Sequence, residues 1–249
     1  RQFYKFIGTL SKIKIQFCTN LDRTHGNTAM HLLQPQPEVT TSSLVSTHST
    51  HQSALSSNTV QLSPWQSLQT EHDQVDWLIL HFNHWFSHQN VTLVKGDFEP
   101  EYFPAQNQAP ARIQFAHGFF NSALHEISHW TIAGAKRRLL PDLGYWYAPD
   151  GRTLEQQQLF EQVEIKPQAI EWLFAQAFGR KFRVSLDNLT GEGGDGTSFK
   201  DRVFTQVQAY FSGEATLPSD AAYFIQCICS CTRDGKILQS NEFKRELLD

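Results

Sequence analysis

A long stretch without charge and crowded with hydroxyl side chains limits how much of this chain can fold. No charged residue lies between Glu38 and Glu71, and thirteen of the twenty-four residues from Thr40 to Ser63 are Ser or Thr. Such a segment exposes too little apolar surface to offset the conformational entropy lost on ordering. We therefore expect residues 1–66 to be a disordered extension and residues 67–249 to form the folded domain.

The first thirty residues raise a question about gene boundaries. The sequence starts at Arg1, and its only methionine is Met30, which opens directly into the low-complexity stretch. We interpret residues 1–29 as an upstream reading of non-coding sequence. A basic, acid-free transit peptide at residues 1–17 is the alternative.

Charge and hydropathy exclude several classes of partner. Residues 1–66 carry two acids and five bases, a formal charge of +3, so the remainder carries −7 to give the whole-chain value of −4. An acidic folded part without a basic stripe gives no support for nucleic-acid binding. No apolar run approaches the roughly 20 residues of a membrane span.

Four cysteines, three of them at positions 227, 229 and 231, favour a reduced protein over a disulfide framework, so we expect a cytoplasmic location.

Hydrophobic periodicity predicts a single compact α+β domain with five helices and a small sheet of three or so strands. The predicted helices cover residues 69–88, 119–133, 153–178, 199–211 and 221–231, and the predicted strands cover residues 91–94, 112–116 and 182–187. A kink or a break is expected near Ile165 and Lys166 because Pro167 follows them. The strands are too few for a jelly roll.

The segment His125-Glu-Ile-Ser-His129 has the spacing of a metal-binding helix. Two histidines four residues apart lie on one helix face, one turn apart, so both imidazoles can reach one metal ion. Glu126 stands beside them, where it can act as a base on metal-bound water. A pair of structural histidines is the alternative interpretation.

A third metal ligand has to come from another part of the chain. The next predicted helix offers Glu161, Glu164 and Gln168 on one face, which we expect to lie opposite a stripe that packs into the core. That stripe consists of Leu159, Val163 and Ile170. Glu164 directly precedes the expected kink and is the preferred ligand, with Glu161 as the alternative. His117, at a predicted strand end, is a further candidate for the pocket.

A set of two histidines and one carboxylate is chemically ambiguous. With Zn²⁺ and a bound water it makes a hydrolase, whereas with Fe(II) and several open positions it makes an oxygenase that uses O₂ and a reductant. The triplets H-x-D and H-x-E, which supply two ligands in jelly-roll iron oxygenases, occur nowhere in the chain. Composition and spacing alone therefore favour a zinc metallopeptidase.

Longer motifs in the chain resemble the bacterial elongation factor P hydroxylase family. The similar segments are residues 115–119, 122–130, 132–134, 142–147, 149–152, 163–169, 172–174 and 187–189. They extend over roughly residues 70–225 and are far more specific than the five-residue metal motif by itself.

The resemblance implies a non-haem iron hydroxylase that is not a jelly roll. Its substrate would be the lysine at the tip of elongation factor P, hydroxylated after a β-lysyl group has been attached. His125 and His129 match the family's metal-binding motif, Glu164 is our choice for the carboxylate ligand, and Glu126 would orient a ligand or shuttle a proton. The implied cofactor is Fe(II), with zinc as the alternative, and O₂ is the co-substrate with a reductant that the sequence does not identify.

A protein substrate also requires a pocket and a docking surface. Tyr145, Trp146 and Tyr147 are candidates for gripping the stem and the cation of the modified lysine, with a role in the core as the alternative. The cations of Lys136–Arg138 match an acidic partner. We favour the other interpretation, that they stabilise the end of the metal-binding helix.

Overall fold

Five helices and a three-stranded sheet make up the part of the chain that the computed structural model describes, residues 64–145, 152–186 and 196–249. The helices are α1 (Glu71–Trp85), α2 (Phe120–Arg137), α3 (Leu154–Ala177), α4 (Thr197–Ser212) and α5 (Ser219–Thr232). The strands are β1 (Val91–Lys95), β2 (Glu101–Phe103) and β3 (Ala111–Phe115). The predicted α+β class is confirmed. No helix within these ranges is long and apolar enough to cross a membrane.

The sheet leads the chain into the helix that carries the metal motif. Its strand order is β1-β3-β2, with β1 parallel and β2 antiparallel to β3. After β3 the chain turns through His117 and Gly118, both at positive φ (52° and 69°), and α2 begins at Phe120. Strand β2 was not predicted from the sequence, because three residues are too short to show a period.

Residues 182–186 form no strand, so the strand predicted at 182–187 is wrong for the positions that the structure describes. The alternation that suggested it is real, since Phe182 is buried and Arg183 is exposed. The main chain, however, pairs with side chains of α3. Ser185 N–H donates to Gln168 Oε1 (3.0 Å), Gln168 Nε2 donates to Ser185 O (2.7 Å), and Gln157 Nε2 donates to Leu186 O (3.0 Å). The segment therefore lies along a helix instead of joining the sheet.

The sequence predicts a kink or a break near Ile165 and Lys166, and the break is wrong, because helix α3 is continuous across Pro167. A capping box fixes its start, because the Thr153 side chain accepts from Gln156 N and the Gln156 side chain accepts from Thr153 N. Beyond the proline, almost every residue of the helix is buried. This burial offsets the hydrogen bond that the proline nitrogen does not make.

The N-terminal limit of the folded part lies earlier than predicted. Trp65 is 9% exposed, and its ring lies 5.4 Å from Trp77 and 4.7 Å from Phe178 between centroids. Its Nε1 donates to Phe178 O at 3.2 Å. The domain therefore includes Trp65, two residues before the predicted start at residue 67, and residues 1–63 of the predicted extension lie outside the described ranges.

Two of the three cations in Lys136–Arg138 are used inside the fold. Arg137 donates to Leu143 O at 2.7 Å. Arg138 lies 3.7 Å from the Trp130 ring and donates to Trp130 O, a carbonyl near the point where Gly134 (φ 66°) interrupts α2. Arg138 also pairs with Asp220 of α5. These contacts give no support to a basic docking patch at this helix end.

Candidate metal centre

Three side chains from two packed helices converge at one point. His125 and His129 project from α2, and Glu164 projects from α3. His129 Nε2 lies 3.0 Å from His125 Nε2 and 3.3 Å from Glu164 Oε1, and His125 Nε2 lies 3.6 Å from Glu164 Oε2. One potential ligand atom from each residue falls within 4.8 Å of the other two. The structure thus brings together the three residues that the sequence selected as ligands.

The chemistry of this cluster suits a divalent metal ion. Glu164 is 1% exposed and His129 6% exposed, whereas the His125 side chain keeps 27% of its surface accessible. Burying a carboxylate among imidazoles is costly unless charge is balanced within the site. Two imidazole nitrogens and one carboxylate oxygen are a donor set used for both Zn²⁺ and Fe(II). The residues present therefore fit the metal that the sequence implied, with access from solvent at His125.

A fourth residue, Glu171 of α3, contacts the opposite edge of the His125 ring. Glu171 Oε2 lies 2.8 Å from His125 Nδ1, and the residue is 9% exposed. Sequence reasoning missed it. The available signal was its position seven residues after Glu164, which places both carboxylates on the same face of one helix.

Negative charge dominates the surroundings of His125. Burial by itself lowers the pKa of this imidazole, but the hydrogen bond and charge of Glu171, and then the charges of Glu164 and Glu126, raise it to about 10. Three carboxylates thus act on one ring, and their field favours a bound cation at the ring's free edge.

Glu126 is half-buried and follows His125 directly in the sequence, but it is not a member of the ligand cluster. Burial raises its pKa against the opposing charges of His125 and His129, and Glu164 and Glu171 raise it further. Within the described residues it makes no hydrogen bond or ion pair. Among the described residues, the carboxylate that contacts His125 Nδ1 is that of Glu171, and the orienting or proton-shuttling role of Glu126 stays a prediction.

The face of α3 that carries the acids is the buried one, contrary to expectation. Of the stripe predicted to pack in the core, Ile170 is fully buried, but Leu159 and Val163 are 62% and 41% exposed. Glu164 and Gln168 are each 1% exposed. The polar side chains are buried because each has a partner: the histidines for Glu164, and the Ser185 main chain for Gln168.

Glu161, the alternative ligand, is engaged elsewhere. Its Oε2 pairs with Arg202 Nη2 of α4, and its Oε1 accepts from Gln157 Nε2 at 3.5 Å. Among the described residues, the cluster of potential ligands contains Glu164 and not Glu161.

The substrate-contact candidates fall into three groups. Trp146 and Tyr147 lie outside the described residues. His117 lies in the turn before α2, with its ring 5.9 Å from that of Phe119, and does not join the ligand cluster. Tyr145 borders the site, with its ring centroid 5.4 Å from that of His129, but the Arg137 guanidinium lies 3.4 Å above the tyrosine ring. That ring face is not open to a substrate cation.

Sequence comparison decides the family. A profile of the family described as elongation factor P hydroxylase matches residues 81–243, a range that contains α2, α3 and every residue of the cluster. The chain belongs to the elongation factor P hydroxylase family. A protein of Haemophilus influenzae named elongation factor P lysine hydroxylase is 50% identical over 153 residues, which cover 61% of this chain and 84% of that protein. The resemblance found in the sequence is confirmed, and the zinc metallopeptidase is not favoured.

Proposed function

We propose that this chain hydroxylates the β-lysyl-modified lysine of elongation factor P, using O₂ and an iron ion held by His125, His129 and Glu164. The observation that carries the proposal is the convergence of these three side chains in a chain 50% identical to a protein named elongation factor P lysine hydroxylase. Because the proposed substrate is a translation factor, we expect the reaction to take place in the cytoplasm.

The reaction inserts one oxygen atom of O₂ into an aliphatic C–H bond and releases the other as water. It consumes two electrons and two protons from an external reductant. Iron, when bound, would supply the oxidising chemistry that an unactivated C–H bond requires. His125 and His129 of α2 and Glu164 of α3 would hold that ion, and the carboxylate of Glu164 would balance part of its charge.

Proton handling falls to Glu126 in this proposal. Its carboxyl group is adjacent to His125 in the sequence, half-buried, and free of protein hydrogen bonds among the described residues. Burial raises its pKa, so the group can hold a proton at a carboxyl oxygen beside the ligands and release it during turnover. Tyr145 forms part of the wall next to His129.

The decisive test is the mass of elongation factor P from cells with and without this gene. We expect the modified lysine to lose the mass of one oxygen atom in the deletion strain. The wild-type gene should restore that mass, and a His129→Ala gene should not. Identical masses in both strains would refute the proposal.

A second experiment separates the hydroxylase from a zinc metallopeptidase with the same motif. Protein purified without oxygen should contain iron and consume O₂ when the modified factor is added. Zinc content, peptide cleavage abolished by Glu126→Gln, and no O₂ uptake would together overturn the hydroxylase assignment.

A further inference from the structure

The contact between Glu171 and His125 lies beside the candidate metal centre, but Glu171 is not one of the three potential ligands. Glu171 brings a carboxylate oxygen to 2.8 Å from His125 Nδ1, the ring nitrogen that faces away from the other ligands. The residue is 9% exposed. Burial of a charged side chain is costly unless a partner compensates for it, so this contact accounts for the position of Glu171.

The contact determines which nitrogen of His125 carries the proton. A carboxylate can only accept hydrogen bonds, so the ring proton lies on Nδ1 and is donated to Glu171. The lone pair of the neutral ring is then on Nε2. That atom lies 3.0 Å from His129 Nε2 and 3.6 Å from Glu164 Oε2, inside the ligand cluster.

Glu171 does not reach the cluster itself. Among the described residues, the ligand atoms within 4.8 Å of one another come from His125, His129 and Glu164. Glu164 and Glu171 lie two turns apart on the same face of α3, so a single helix supplies a ligand and a carboxylate behind another ligand.

We propose that Glu171 is a positioning residue that fixes the tautomer and the ring orientation of His125, so that Nε2 is presented to the metal. This inference rests on the proposed function, because it requires a metal at the three-ligand cluster. Carboxylates that accept from the remote nitrogen of a metal-bound histidine contribute about 10- to 100-fold to metal affinity.

The test uses the full chain, purified with a chelator and titrated with Co²⁺ alone. We expect the affinity for Co²⁺ to fall about tenfold in Glu171→Gln, which keeps an acceptor of similar shape, and about 100-fold in Glu171→Ala. The matched control is Glu161→Gln on the same helix, whose partner is Arg202, and its affinity should be unchanged.

Proton NMR of the Co²⁺-loaded protein gives a readout that a purely structural role would not produce. The Nδ1 proton of His125 should appear as a solvent-exchangeable, strongly shifted signal in the wild type. It should move in Glu171→Gln and vanish through exchange in Glu171→Ala. If Glu171→Ala does not fold, the affinity and signal of Glu171→Gln decide.

The two hypotheses fail in different ways. A wild-type chain that does not bind Co²⁺ would overturn the metal centre of the proposed function, and this inference with it. A wild-type chain that binds Co²⁺, with unchanged affinity and an unchanged Nδ1 signal in the Glu171 variants, would overturn the positioning role alone.

Discussion

Three glutamates of α3 have carboxylates with different contacts, and these contacts distinguish the roles that we propose for them. Glu161 pairs with Arg202, Glu164 faces both histidine Nε2 atoms, and Glu171 accepts from His125 Nδ1. Spacing alone could identify the two histidines as a pair of ligands, because residues four apart lie on the same face of any helix. It could not separate Glu161 from Glu164, because that choice depends on Arg202, which lies on a different helix.

The contrast between Glu164 and Glu161 gives the first prediction. Glu164→Ala should abolish iron binding, because it removes the carboxylate ligand that lies beside the Nε2 atoms of both histidines. Glu161→Ala should at most weaken iron binding, because it breaks an ion pair outside the cluster. Iron content per chain after anaerobic purification measures both. The reverse ranking would show that Glu161 is the ligand.

The second prediction concerns Glu126. Glu126→Gln keeps the shape of the side chain and removes its ability to exchange a proton, so iron content should stay at the wild-type level. The hydroxylation rate should fall by about 100-fold or more, the range for loss of a general acid or base. Glu155→Gln, an exposed position in the first turn of α3, is the control and should keep the full rate. A Glu126→Gln protein with full activity would remove Glu126 from the mechanism.

At the level of elements, sequence periodicity located the long helices. It gave the wrong structure for segments whose hydrogen-bond partners are distant in the sequence. Residues 182–186 alternate in burial as a strand would. Nothing local in the sequence reveals that the main chain there bonds to Gln157 and Gln168, some 15 to 30 residues earlier. The same limit applies to Leu159 and Val163, which are apolar but exposed, because the partners of the buried Glu164 are histidines on a different helix, α2.

The third prediction tests this helix-bound segment. Gln168→Leu keeps the volume of the side chain but leaves the N–H and C=O groups of Ser185 without their partner. The free energy of unfolding should fall by about 1–3 kcal/mol, because two hydrogen bonds are lost and each contributes about 0.5–1.5 kcal/mol. Urea denaturation measures it. Gln158→Leu, at an exposed position of the same helix, should change stability by less than about 0.5 kcal/mol. Equal effects of both substitutions would contradict the role of Gln168.

For the whole molecule, the folded unit extends past the family match at both ends. The match covers residues 81–243, yet Trp65 and Leu248 are 9% and 4% exposed and belong to the same core. Composition predicted a domain start close to the observed packing, because the change from hydroxyl-rich to aromatic sequence occurs there. It could not show that Trp65 packs against Phe178, a residue 113 positions later.

The fourth prediction separates the low-complexity segment from the domain. A chain that lacks residues 1–63 should keep its hydroxylation rate and its unfolding free energy, because every residue of the metal centre and Trp65 remain. Trp65→Ala should lose about 3–5 kcal/mol, the cost of removing a large buried aromatic ring. Parallel activity and denaturation measurements check both. Loss of folding in the shortened chain would overturn the division.

Because the three ligands lie on two helices, metal binding would also affect how much folded enzyme a cell contains. His129 and Glu164 are separated by 34 residues of chain, so a metal ion bound to both acts as a crosslink that closes this loop. A ligand that binds only the folded state shifts the folding equilibrium towards that state, so iron bound between the two helices would stabilise the folded chain. Iron availability would then set the standing amount of folded enzyme in a cell as well as its turnover. Under iron limitation, degradation of unloaded chains would deplete the protein together with its activity.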